Sequence, residues 1–320
     1  MRIVLVPRHR ALLPALAVPG LALALAGCAD DGGGGSGPEV AVTAYPMQFV
    51  AERVLGDAGT VTSVAPAGTE PHDLELSPSA VATLDGADAV LYLSDFQTAV
   101  DDALAEVGSG LVVDAADHVD LLTGGDDEHD HDDADGHDDH GPDDHGHDHG
   151  GVDPHFWLDP LRVADLADAL AVELGEAEPE LAATFENNAA TLRGELEDLD
   201  ERLRTGLAGC VDRTFVTSHE AFGYLAHAYD LTQVGISGID PEAEPSPARV
   251  AEVLAEAREH GVTTVFTQPG GLTAGADVVA DELGLTLATL DPIELAPSDT
   301  DYLGAMAANL AALREGLSCP

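Results

Sequence analysis

Three histidines and one aspartate stand out by their positions along the chain. His72 lies in Gly68-Thr69-Glu70-Pro71-His72-Asp73, after a short β-rich run at 61–65. His219 lies in Thr217-Ser218-His219-Glu220, directly after a β-rich run at 214–217, and Asp291 follows another at 286–290. His155 sits in Asp153-Pro154-His155-Phe156-Trp157-Leu158-Asp159-Pro160, just before a helical stretch. Ligands of open α/β sheets bind beyond the carboxyl ends of the strands, so three of these residues fall on a binding edge and His155 can face the same crevice. Three imidazoles and one carboxylate fill a tetrahedral shell for Zn²⁺ at about 2.0–2.2 Å. Nitrogen-rich ligation suits Zn²⁺, whereas Mn²⁺ and Mg²⁺ favour oxygen. His118 opens onto an acidic insert, His227 lies inside a helix and His260 near a helix end, and these three read as structural or solvated.

The elements that must position these residues alternate. Strands are expected at 40–45, 61–65, 89–93 and 110–114, with helices at 46–56, 77–84 and 98–107 between them. The pattern resumes after residue 209, with strands at 214–217, 231–234, 263–267 and 286–290. Helices are expected there at 221–229, 247–260, 274–283 and 301–313. Such alternation argues for parallel sheets flanked by helices. Between the two series, Leu181, Phe185, Leu192, Leu196, Leu199 and Leu203 recur at helical steps, giving an apolar stripe. A helix from Pro179 to Leu207 spans roughly 40 Å and suits a rigid connector. The expected organisation is therefore an N-terminal α/β lobe (39–176), a linking helix (177–208) and a C-terminal α/β lobe (209–320), with the metal site at their interface.

Residues 126–151 break the first lobe. They carry seven histidines, His129, His131, His137, His140, His145, His147 and His149, among Asp and Gly. The stretch lacks apolar residues able to build a core, so it reads as a disordered loop. It is a candidate low-affinity metal collector that raises the local ion concentration, or equally a sensor, a docking segment for an accessory protein, or a solvated insert.

The N-terminus reads as a targeting segment. Arg2, Arg8 and Arg10 precede an apolar run that ends Leu25-Ala26-Gly27-Cys28. The run is too short and too broken for a membrane span of roughly 20 residues. The four residues resemble a bacterial lipobox, which makes 1–27 a signal peptide and Cys28 the lipidated residue. Residues 28–38, rich in Gly, read as a flexible tether. With Cys28 lipidated, Cys210 and Cys319 remain, and a disulfide between them is the simple expectation in an oxidising compartment.

The net charge is −48, and all twelve basic residues are Arg. Phosphate contacts require Lys and Arg, so nucleic-acid binding is excluded. The acidity serves mostly solubility, because screening at about 8 Å limits its reach as a cation-attracting field.

Taken together, the motifs resemble the zinc-specific substrate-binding proteins of ABC importers, the ZnuA-like family. The resemblance runs from about Val40 to Cys319. It rests on Pro71-His72-Asp73 with Ser77-Pro78, Asp153–Pro160, Ser218-His219-Glu220-Ala221-Phe222-Gly223-Tyr224, Leu290-Asp291-Pro292, and the His-rich insert. It implies two lobes joined by one rigid helix, with ligands His72 and His155 from the first and His219 and Asp291 from the second. It also implies Zn²⁺ as the transported ligand, a membrane permease as partner, a monomer, and an extracytoplasmic lipid-anchored location. Manganese-binding relatives carry Glu where this chain has His219. Two departures stand out: Gln268 occupies a position usually held by Glu, and Ser94-Asp95-Phe96-Gln97 lacks a Gly-containing segment common in the family. Glu70, Asp73 and Glu220 adjoin ligands and are candidates for orienting the imidazoles. Competing readings are a manganese or iron binder or adhesin of the same fold, and an extracellular zinc hydrolase with Glu220 as base. No enzyme activity is expected, because catalytic zinc keeps a position open for water and Asp291 is available to fill it.

Overall fold

The computed structural model describes residues 37–122, 152–270 and 275–320. Cys28 and the seven histidines of the 126–151 insert lie outside the described residues. Among the described residues no helix is long and apolar enough to cross a membrane.

Two four-stranded parallel sheets form the frame. The first contains β1 (Glu39–Val42), β2 (Thr60–Ser63), β3 (Ala89–Tyr92) and β4 (Leu111–Asp114), in the order β2-β1-β3-β4. The second contains β5 (Thr214–Thr217), β6 (Thr232–Gly235), β7 (Thr264–Thr267) and β8 (Thr286–Thr289), in the order β6-β5-β7-β8. Each sheet therefore begins on an inner strand and reverses direction beside it. The switch point leaves a crevice at the carboxyl ends of the central pair. This is the architecture the alternation called for.

Helices α1 (Tyr45–Leu55), α2 (Pro78–Gly86) and α3 (Thr98–Glu106) belong to the first series. The second holds α6 (Gly223–Ala228), α7 (Pro247–Glu259), α8 (Ala276–Leu283) and α9 (Tyr302–Gly316). Several starts are set by one local device. Ser77 and Ser246 precede Pro78 and Pro247, and each serine oxygen accepts the N–H three residues on. Asp159 before Pro160 accepts from Leu161 N–H. Proline at the first helical position lacks only an N–H that the helix would leave unpaired. The helix expected at 221–229 shortens to α6. Glu220 N–H bonds Gly238 carbonyl across a bend, which delays helical winding to Gly223.

Between the series lie α4 (Pro160–Ala177) and α5 (Ala182–Leu207). The 26 residues of α5 span roughly 39 Å. Phe185, Ala189, Leu192, Leu196, Leu199, Leu203 and Leu207 form its buried stripe. α5 packs on α1 and α4 at one end and on α9 at the other. One continuous apolar cluster runs from Val40 and Val42 of β1, through this stripe, to Phe215, Phe266 and Leu313. The long helix is thus a shared core wall. Separating the two sheets would expose that wall, which opposes large hinge motion. A disulfide joins Cys210, just after α5, to Cys319 at a sequence separation of 109.

Candidate metal centre

The loop after β2 carries His72, and Gln97 holds that loop. Gln97 Nε2 donates to the carbonyls of Pro71 at 3.0 Å and Thr43 at 3.2 Å. Phe96 meets the His72 ring edge-on at 5.0 Å. The Ser94–Gln97 segment, singled out as a departure from the family pattern, therefore backs a candidate ligand.

His155 is fully buried and clamped on several sides. Asp153 Oδ1 accepts its backbone N–H at 2.9 Å and lies 2.7 Å from its Nδ1. The surrounding segment is bound to the second series of elements. Tyr224 hydroxyl donates to Asp153 carbonyl at 2.8 Å, Trp157 Nε1 to Pro292 carbonyl at 2.8 Å, and Tyr302 hydroxyl to Trp157 carbonyl at 2.6 Å. Gly223 lacks a side chain where one would press on Asp153: a Cβ there would lie 2.8 Å from Asp153 Oδ2.

His219 leaves the end of β5, and its carbonyl accepts from Thr217 Oγ1 at 2.7 Å and Gln233 Nε2 at 3.0 Å. The carboxylate that meets these imidazoles is Glu294. Its Oε1 lies 2.9 Å from His155 Nε2, 3.3 Å from His219 Nε2 and 3.5 Å from His72 Nε2. His72 Nε2 and His155 Nε2 are 3.3 Å apart. One ligand atom each from His72, His155 and Glu294 lies within 4.8 Å of the others, and His219 joins them through Glu294.

Asp291 stands elsewhere. Its Oδ1 accepts Ile293 N–H at 2.8 Å, and Asn309 brackets its backbone, accepting from its N–H at 2.8 Å and donating to its carbonyl at 2.7 Å. Asp291 thus closes an Asx-type turn in which Ile293 adopts a φ of 58°. That conformation is costly for a β-branched residue. It re-aims the chain so that Glu294, three residues on, enters the cluster. The expectation of Asp291 among the imidazoles is therefore corrected to Glu294.

The expected orienting groups separate likewise. Glu70 Oε1 accepts His72 backbone N–H at 3.4 Å, Asp73 is exposed, and Glu220 pairs with Arg249 at 3.3 Å. Asp153 orients an imidazole directly and escaped the sequence reading. Its signal was its place two residues before His155, which suits a carboxylate folding back onto the following N–H.

Burial and charge oppose each other throughout the cluster. Burial raises Glu294, but hydrogen bonds from His155, His219 and His72 outweigh it and hold the carboxyl well below its usual range. Burial lowers His155, yet bonds to Asp153 and Glu294 carry it up to about 9. His219 is lowered, by burial first and by its fellow histidines. Glu70 is pushed up to about 7 by burial and then by the charge of Glu294.

Four of these separations lie close to those of a tetrahedral ion. Bonds of 2.0–2.1 Å require ligand atoms about 3.3–3.4 Å apart. Glu294 Oε1 lies 2.9–3.5 Å from the three Nε2 atoms and His72 Nε2 lies 3.3 Å from His155 Nε2, while His219 joins the group through Glu294 alone. Three nitrogens and one oxygen match zinc in donor softness.

Two parallel sheets whose carboxyl ends share a crevice, with three imidazoles and a carboxylate within it, define a solute-binding protein with a site of metal-ligand type. The chain belongs to the ZnuA family, described as zinc-uptake complex component A, periplasmic, whose model matches residues 40–316. It is 34% identical over 286 residues to the high-affinity zinc uptake system protein ZnuA of Bacillus subtilis, covering 87% of each chain. It is 33% identical over 284 residues to the zinc-binding protein AdcA of Streptococcus pyogenes, covering 86% of this chain but 55% of that protein. The chain thus spans about half the length of such relatives. Among solved structures, a zinc-bound variant of Streptococcus pneumoniae AdcAII superposes with a TM-score of 0.75 at 27% identity, covering 88% of this chain and 99% of that one. The laminin-binding protein Lmb of Streptococcus agalactiae, titled a bifunctional adhesin and metal transporter, superposes at 0.74 with 29% identity, covering 88% of this chain and all of that one.

Proposed function

We propose that this chain captures Zn²⁺ outside the cytoplasm and passes it to the membrane permease of an ABC importer. His72, His155, His219 and Glu294 are the proposed ligands. The observation that carries the reading is the meeting of three imidazole nitrogens on one buried carboxylate oxygen. Zinc would displace the direct imidazole–carboxylate bonds and take their place. Four protein ligands leave no position for a bound water, which favours capture over hydrolysis. His219 in place of a carboxylate favours zinc over manganese. Lipidation at Cys28 would keep the protein at the membrane, and the 126–151 insert would collect zinc weakly near the crevice.

Competition with a chromogenic chelator tests the reading. The protein with residues 126–151 deleted should bind one Zn²⁺ tightly and Mn²⁺ far more weakly. Equal affinity for the two ions, or no tight site, would reject it. Adhesion is a second reading, favoured by the likeness to laminin-binding proteins. Saturable binding to immobilised laminin would support it.

A further inference from the structure

Among the described residues, four buried side-chain polar atoms lack a hydrogen-bond partner: Thr43 Oγ1, Gln97 Oε1, His219 Nδ1 and Gln268 Oε1. All four residues follow the carboxyl ends of the inner strands β1, β3, β5 and β7. Burying a polar atom without a partner is costly.

Two of them stand at matching positions of neighbouring strands. β5 pairs with β7 in the register Thr217↔Phe266, and Ser218 N–H continues the ladder to Phe266 carbonyl at 2.9 Å. His219 and Gln268 each stand two residues beyond that last rung. The two-residue repeat of a strand gives them the face of Thr217 and Phe266. Both are more than nine-tenths buried.

The imidazole tautomer explains why they are unpaired. His219 Nε2 faces Glu294 Oε1 at 3.3 Å. An ionised carboxylate only accepts hydrogen bonds, so in a neutral ring Nε2 carries the hydrogen and Nδ1 is a bare acceptor. Nδ1 and Gln268 Oε1 are then both acceptors, so in this orientation of the amide they do not bond. When zinc takes Nε2, the ring hydrogen must reside on Nδ1, which becomes a donor. Metal-bound imidazoles almost always give that N–H to an oxygen.

We infer that Gln268 is a positioning residue for His219, its side-chain oxygen accepting the Nδ1–H that appears when zinc binds Nε2. The hydrogen leaves Nε2 and is regained at Nδ1 by exchange with solvent, so His219 changes tautomer without net proton release. Gln268 then fixes the ring plane, as Asp153 does for His155, but with a neutral oxygen. This deepens the zinc reading and rests on it.

The test is histidine-selective ¹⁵N NMR of the chain lacking residues 126–151, with and without one equivalent of Zn²⁺. Zinc should convert His219 from the Nε2–H to the Nδ1–H form, and the new N–H should exchange slowly with water. Gln268→Leu should keep Nε2 on zinc, speed Nδ1–H exchange at least tenfold, and speed zinc dissociation about 10–100-fold. Gln268→Glu should restore the protected signal, which guards against a folding artefact in the leucine variant. Unchanged protection in Gln268→Leu would overturn the inference while leaving the ligand set intact. His219 nitrogens that do not respond to zinc would overturn the ligand set itself.

Discussion

Exchanging the roles of two nearby carboxylates tests the site most sharply. Asp291 follows β8 directly, yet its oxygen caps Ile293 N–H, while Glu294 Oε1 meets three imidazoles. Glu294→Gln keeps the side-chain volume and removes the charge that faces the ion. Groups that only orient a ligand cost about 10–100-fold in affinity when removed. Loss of a ligand should exceed that, so Glu294→Gln is expected to weaken zinc binding more than about 100-fold, or about 2.7 kcal/mol. Asp291→Ala removes a charged hydrogen bond from a turn, which costs about 1.5–3 kcal/mol of fold stability. Its effect on zinc is indirect and should stay within the orienting range. Chelator competition supplies the affinities and urea unfolding of the ion-free protein supplies the stabilities. A larger loss of zinc affinity in Asp291→Ala than in Glu294→Gln would refute this assignment.

Further outcomes follow from the same contacts. Asp153→Asn should weaken zinc about 10–100-fold by releasing the His155 ring, read by the same competition, with a wild-type value counting against that role. Zinc must displace the proton that His155 holds up to about 9, so apparent affinity should rise about tenfold per pH unit between pH 7 and 8.5, and a flat profile would contradict it. In the ion-free protein the raised His155 stabilises the fold fully below about pH 6.5 and loses that contribution as pH climbs through 9. The depressed Glu294 contributes above about pH 4.3 and loses its share as pH falls further. Urea midpoints across pH 3–10 should therefore decline at both ends. Replacing Cys210 and Cys319 together by Ser frees a loop of 109 residues, and chain entropy puts the loss at about 4.8 kcal/mol. An unchanged urea midpoint would show that the bond contributes nothing.

Much of the frame was legible because its signals are local. Strand β5 lies where the β-prone run Thr214-Phe215-Val216-Thr217 places it, and Ser77-Pro78 and Ser246-Pro247 announce helix starts within two residues. His72 and His219 were legible because they follow strands, whose carboxyl ends face a crevice in a parallel sheet, whereas His155, in a loop before α4, could only be read as able to face the same crevice. Glu294 was hidden because its entry depends on a left-handed Ile293, which no residue preference announces. The grip of Gln97 on the His72 loop and of Tyr302 on Trp157 depends on contacts 26 and 145 residues apart in sequence. The reading of α5 as a connector between lobes missed the core it shares with both sheets, since a stripe shows that a face is buried but not against how many partners.

X-ray absorption at the zinc edge, on the chain lacking residues 126–151 and loaded with less than one equivalent of Zn²⁺, addresses the ligand set directly. Three imidazole nitrogens and one carboxylate oxygen at about 2.0–2.1 Å, with imidazole multiple scattering lost in proportion when His72, His155 or His219 is replaced, is the expected result. A first shell containing sulfur, fewer than three imidazoles, or several waters would contradict it.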